Sequence, residues 1–350
     1  MRLKCAVSIA MSMILAGVCT ASAQSARGPL GPNPVQPKQP PFGPGGSAKS
    51  SRSTVRIEIP GGAQGGWLFL PSKPAPAKAP VVIFCHGFSA ILPRGYQAWI
   101  DHLVSRGNIV LWPNYQDNLR VPTREFLPNA LAGVKTVLHI LQSGPKSVYP
   151  DLDRVAVVGH SAGGMIAAGI AANAAADGLP RIKALMPVEP GDSRRGGLAS
   201  VPLADLSTLP DDILLLILVG EEDTSVGTFD GERILHESTS VPSGNKSLFM
   251  LHSDDHGSPA LVANHFSPTA VLNADGSFAK DPVRPGVSRN TFDTGVVDAL
   301  DYMGTWRLLD RLLEAAFSDA PRDQLFKDLS LPSMGKWSDG VAVVPLTRLN

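Results

Sequence analysis

The chain has no excess charge of either sign. Its 31 basic and 31 acidic residues cancel, and neither sign forms a long run. Without a basic stripe there is no electrostatic footprint for nucleic acid or an anionic membrane surface. Cysteine is also scarce. Of three, Cys5 and Cys19 fall in an N-terminal stretch read below as removed, which leaves Cys85 and no possibility of an internal disulfide. No HExxH and no paired CxxC occurs, so the common zinc signatures are missing. No internal repeat divides the 350 residues, and 43% hydrophobic composition is enough to build a sizeable core.

The N-terminus has the order of an export signal: Arg2 and Lys4, the apolar run "CAVSIAMSMILAGVC", then Ala21-Ser22-Ala23 before Gln24. The run is shorter than the roughly 20 residues a membrane anchor needs. We expect residues 1–23 to be cleaved after Ala23, giving a secreted or periplasmic protein with no stable membrane anchor. Loss of Arg2 and Lys4 leaves two more acids than bases. Residues 24–53 are rich in Pro, Gly and Ser, with almost nothing apolar to bury, and read as a disordered linker. The domain is expected over 54–350.

From Thr54 the chain alternates short apolar runs with helical ones. "VRIEI" (55–59) and "GWLFL" (66–70) read as an opening hairpin. "VVIFC" (81–85), 108–112, 154–159, 182–188, 213–219 and 246–251 read as buried strands. Helices are expected from Tyr96 to Gly107, over 128–142 and 162–176, and as a long amphipathic helix over 294–317. Strands of this kind alternating with helices imply a mostly parallel central sheet with helices on both faces and an antiparallel N-terminal edge hairpin.

Four features fall at the carboxyl ends of these strands, where open α/β sheets carry their sites. The first is GHSAG (159–163), a GxSxG between a strand and a helix. In a chain of 34 glycines the bare pattern is weak; the flanking strand and helix are what make Ser161 a candidate nucleophile on a sharp turn. The second is "CHGFS" (85–89), a loop that can aim the Phe88 amide beside that of Ala162 at an oxyanion, with His86 bracing the loop. The third is "LVGEEDTSV" (218–226), where Asp223 lies just past the turn and is the candidate for orienting a histidine. The fourth is "FMLHSDDHGSPALVANHF" (249–266). Of its three histidines, His256 on the loop before Gly257 is expected as the base, with His252 and His265 as alternatives. A metal held by His252, Asp254, Asp255 and His256 is disfavoured because neighbours on one loop seldom converge on one ion. "NADGS" (273–277) reads as a DG turn in preference to a Ca²⁺ loop.

The order Ser161, Asp223, His256 resembles that of the α/β-hydrolases over roughly 55–317. Within that superfamily, "VIFCHGF", "DRVAVVGHSAGG" and "LVGEEDTSV" resemble the group of dienelactone hydrolases, polyester (PET) hydrolases and chlorophyllases. Phe88 matches the aromatic residue of polyester hydrolases, whereas Ala162 and Val188 stand where those enzymes carry Met and Trp. Dienelactone hydrolases typically use a cysteine nucleophile, and "LMPVEPG" (185–191) is closer to the chlorophyllase side. The resemblance implies an α/β-hydrolase fold and hydrolysis of a small or polymeric carboxylic ester through an acyl-enzyme, with no cofactor and no metal. An acyltransferase or peptidase with the same triad, or a binding protein that retains the fold, are the competing readings.

Overall fold

The computed structural model describes residues 33–143, 147–194, 200–270, 295–319 and 321–350. The expected export signal, the first part of the expected linker and "NADGS" lie outside the described residues.

From Pro34 onward the chain forms one compact unit around a nine-stranded sheet, ordered β1-β2-β4-β3-β5-β6-β7-β8-β9. The opening hairpin is β1 (Ser53–Ile59) and β2 (Gly66–Ser72), and β2 runs antiparallel to β4 (Ile109–Pro113). The centre is parallel: β3 (Lys78–Cys85), β5 (Tyr149–His160), β6 (Ile182–Val188), β7 (Leu214–Gly220) and β8 (Lys246–Leu251). A two-residue β9 (Thr347–Arg348) closes the far edge antiparallel to β8. Every residue of β4 and β7 is buried, as unbroken apolar runs between two helical layers require.

One layer is α2 (Phe126–Gln142), α3 (Ala162–Asn173) and α4 (Phe229–Glu237), packed on Val81, Ile83, Val155, Val157, Leu215 and Ile217. The other holds α1 (Gln97–Ser105) and α5 (Trp306–Ala316), packed on Val82, Phe84, Val158, Met186, Leu216 and Leu218. Alternate residues of each strand feed opposite cores, which is the period of two expressed as packing. α3 is nearly buried on all sides, which suits its Ala, Gly and Ile composition.

Three expectations change. The helix expected over 294–317 opens as a π-helical turn, Leu300–Thr305, and becomes α-helical only from Trp306; its first residue lies outside the described residues. α4 was not anticipated, because its mixed sequence FDGERILHE offers only Ile234 and Leu235 as a buried apolar pair. Finally, residues 34–52 do not behave as a disordered linker. Tyr302 donates to the Pro37 carbonyl at 2.6 Å, the Gly45 amide to buried Asp310 at 2.8 Å, and the Ser50 amide to the Ser105 carbonyl at 2.7 Å. A segment with few apolar side chains is held here through its backbone polar groups, which composition does not reveal.

The parallel registers align Cys85 with Gly159 and His160 with Val188. The loops after β3, β5, β6 and β7 therefore leave the sheet at one edge, together with the segment that follows β8.

Candidate active site

Ser161 links β5 to α3 with φ 57° and ψ −127°, a left-handed conformation that a serine adopts only when its surroundings hold it there. Those surroundings are backbone. A Cβ on Gly159 would lie 2.0 Å from the Gly163 carbonyl oxygen, and one on Gly163 would lie 2.2 Å from that of Cys85. The glycines let strand, turn and helix cross within van der Waals contact, and the crossing presents the Ser161 hydroxyl. The Ser161 amide donates to the Val188 carbonyl at 3.0 Å, which ties the turn to β6.

Ser161 Oγ lies 2.9 Å from His265 Nε2, and His265 Nδ1 lies 2.8 Å from Asp223 Oδ2. The other oxygen of Asp223 accepts from the amides of Ser225 at 2.8 Å and Val226 at 3.0 Å. All three side chains are buried. The carboxylate is thus fixed by two amides and leaves one oxygen for the imidazole, the arrangement that sets which ring nitrogen carries the proton.

The histidine is His265 and not the expected His256. After β8 the chain doubles back, with Asp254 and Leu261 exchanging both backbone hydrogen bonds at 2.9 Å. The intervening turn projects outward, and His256 Nε2 meets Asp339 at 2.8 Å on the exposed face. Gly257 is packed against the Trp337 ring. Only after the return strand passes Ala263 does the chain reach the sheet edge facing Ser161. His252 also points elsewhere, to Glu221 at 3.2 Å and Thr347 at 2.7 Å. Asp254 accepts from Trp337 Nε1 and from the Val344 amide, both at 2.9 Å. The loop's polar groups therefore disperse to separate partners instead of gathering around one ion.

The loop after β3 is braced as expected. His86 is fully buried, stacked on Tyr115 with ring centroids 4.1 Å apart. Its ring nitrogens approach the carbonyls of Gly87 at 2.8 Å and Asn114 at 2.9 Å. Burial outweighs those carbonyls and pushes the imidazole down to about 4, so it is neutral. Within the loop the Gly87 amide donates to Tyr96 Oη at 3.0 Å and the Ser89 amide to Gln116 at 2.8 Å. Among the described residues nothing accepts from the Phe88 amide between them. The Ala162 amide is the first of α3 and has no carbonyl one turn back. Phe88, Ala162, Ser161 and His265 line one cavity of about 130 Å³, completed by Gly191, Asp192, Val201, Ser225 and Val226.

Sequence reading overlooked His160, the second residue of the GxSxG. Its Nδ1 accepts from Tyr96 Oη at 2.7 Å, and its Nε2 donates to the backbone carbonyl of His265 at 2.8 Å. Through Tyr96 it reaches Gly87, so one buried ring joins the loop after β3 to the segment carrying His265. Burial and the neighbouring His265 hold His160 well below the usual imidazole range, hence neutral. The signal that could have found it is a polar residue closing the run 155–159 at the end of β5, which is otherwise Val, Ala and Gly.

No helix among the described residues is long and apolar enough to cross a membrane. No curated protein matches the chain. Residues 54–208, which run from β1 through the serine turn and the segment beyond β6, match the family model described as Chlorophyllase. With the nine-stranded, mostly parallel sheet, the match is consistent with an α/β-hydrolase fold, and over that part the chain is similar to the chlorophyllase-like group of hydrolases.

Proposed function

We propose that the protein is an exported serine hydrolase of carboxylic esters, using Ser161, His265 and Asp223. The observation that carries the reading is the continuous relay from Ser161 Oγ to His265 at 2.9 Å and on to Asp223 at 2.8 Å. His265 Nε2 takes the hydroxyl proton as Ser161 attacks the ester carbonyl, and Asp223 stabilises the imidazolium that forms. The negative oxygen of the tetrahedral intermediate is met by the amides of Phe88 and Ala162. The second of these also gains from its place at the start of a helix. His265 returns the proton to the leaving alcohol. Water, deprotonated by the same nitrogen, then cleaves the acyl-enzyme and releases the acid.

The cavity beside Ser161, about 130 Å³, is well below the roughly 300–1,000 Å³ of pockets that enclose drug-sized ligands. It suits a short acyl group, with the alcohol portion lying outward past Phe88, which is 37% exposed. Initial rates on p-nitrophenyl esters of increasing acyl length test this directly: rates highest at two to four carbons, about, and falling beyond are expected. A Ser161→Ala protein that folds normally should lose hydrolysis of all of them; full retained activity would overturn the proposal. Export through residues 1–23 predicts a mature chain beginning at Gln24, which N-terminal sequencing of the secreted protein reads.

A further inference from the structure

Glu189 has no part in that chemistry, yet it lies directly beneath it. It follows the last residue of β6, is 1% exposed, and has a φ of +46°, a conformation that costs energy for any residue but glycine. Its amide donates to the Leu218 carbonyl at 2.7 Å, which pins this turn to β7. Its Oε2 lies 3.2 Å from His160 Nε2 and 3.9 Å from His265 Nδ1, and Oε1 accepts from Ser267 Oγ at 3.3 Å. His265 Nδ1 therefore faces two carboxyl groups. Asp223 at 2.8 Å holds the hydrogen bond, and Glu189 stands about 1 Å short of one.

The ligating atoms of His160, Glu189 and His265 also fall within 4.8 Å of one another, which invites a metal. Both imidazoles are already committed: His265 Nδ1 to Asp223, and His160 Nε2 to the His265 carbonyl. We propose instead that Glu189 is a positioning residue, a reserve carboxylate beneath His265 that orients the base when Asp223 cannot. The proposal rests on the Ser161, His265, Asp223 reading.

Two carboxyl groups around one buried imidazole do not both ionise at ordinary pH. Burial first, and then the charge of Asp223, hold the Glu189 carboxyl well above the usual carboxylate range, while the Ser267 hydroxyl pulls it the other way. The remaining titratable groups facing it are His160 from β5, His265, and Tyr96, whose hydroxyl burial keeps protonated. In the intact site Asp223 holds the Nδ1 hydrogen bond and Glu189 stays neutral. Asp223→Asn removes one of the two forces that keep the proton on Glu189. The imidazolium that forms during attack then favours its loss to water, and the resulting carboxylate can take the Nδ1 hydrogen bond.

The test is kcat against pH for wild type, D223N, E189Q and the double variant on p-nitrophenyl acetate. D223N should lose roughly 100-fold, with residual kcat rising as pH increases. E189Q should cost a few-fold alone, but a further factor of about 30 on D223N, and it should erase that rise. An E189Q penalty equal in both backgrounds, with the D223N pH profile unaltered, would overturn the proposal while leaving the triad intact. D223N with wild-type kcat would instead break the triad reading itself. If a thermal melt shows that E189Q does not fold, Ser267→Ala on D223N gives the second readout. Removing that hydroxyl should move the rise in residual kcat to higher pH, and an unmoved rise would count against Glu189.

Discussion

The turn that carries Ser161 and the loop that carries His265 meet at 2.9 Å, but they are held in different ways. The serine turn is set by backbone against backbone: Gly159 against Gly163, Gly163 against Cys85, all within a few residues of a strand end and a helix start. The histidine loop is set by side chains, one within the loop and the others from far along the chain. Trp337 packs on Gly257 and donates to Asp254, Ser253 Oγ accepts from the Ala263 amide at 2.9 Å, and His160 fixes the carbonyl of His265 itself. A nucleophile on a strained turn tolerates no change in its frame, whereas a base on a braced loop can shift by fractions of an ångström as its braces change.

That difference can be tested by substitution. His265→Ala should have the largest effect, lowering kcat/KM by about 10⁴-fold or more, since the relay loses its central member; steady-state kinetics read this. Gly163→Ala comes next. Its methyl would meet the Cys85 and His86 carbonyls, atoms that cannot rotate away, so the turn must move. A loss of about 100-fold in kcat and at least about 1–3 kcal/mol of stability is expected, read by kinetics and urea unfolding. Trp337→Phe removes a brace of the loop and leaves Asp254 one donor short. It should lower kcat by about tenfold with KM little changed, and a variant with wild-type kcat would show that the loop needs no such brace.

A smaller effect comes from the loop after β3. His86 titrates at about 4 when folded and near 6.5 when unfolded. A depressed folded value means that its contribution is complete above about pH 6.5 and is lost as pH falls toward 4, by at most ~1.4 kcal/mol per pH unit. Urea midpoints between pH 7 and 4 should fall less steeply in His86→Phe. His256→Ala should be the mildest change, within about twofold of wild-type kcat/KM, because its ring meets Asp339 and the Trp337 ring, and neither Ser161 nor Asp223.

The same contrast explains what could be read from the residues. GxSxG between an apolar strand and a small-residue helix specifies its geometry locally, because glycine at 159 and 163 is required by the crossing itself. The parallel sheet was equally legible, since its buried strands are continuous apolar runs. His265 was not, because choosing among His252, His256 and His265 needs the Asp254 to Leu261 pairing and the Trp337 contact, both tertiary. Glu189 was hidden for a related reason. As one carboxylate after a strand it reads as a solvated turn residue, and only the approach of β7 and of the segment carrying His265 buries it.

The most direct test follows covalent labelling of Ser161 by a fluorophosphonate, with the modified peptide identified by mass spectrometry in wild type, His265→Ala and His256→Ala. Labelling of Ser161 at the wild-type rate in His256→Ala, and at a rate lower by orders of magnitude in His265→Ala, is the predicted result. Rapid labelling of Ser161 in His265→Ala together with its loss in His256→Ala would contradict the account.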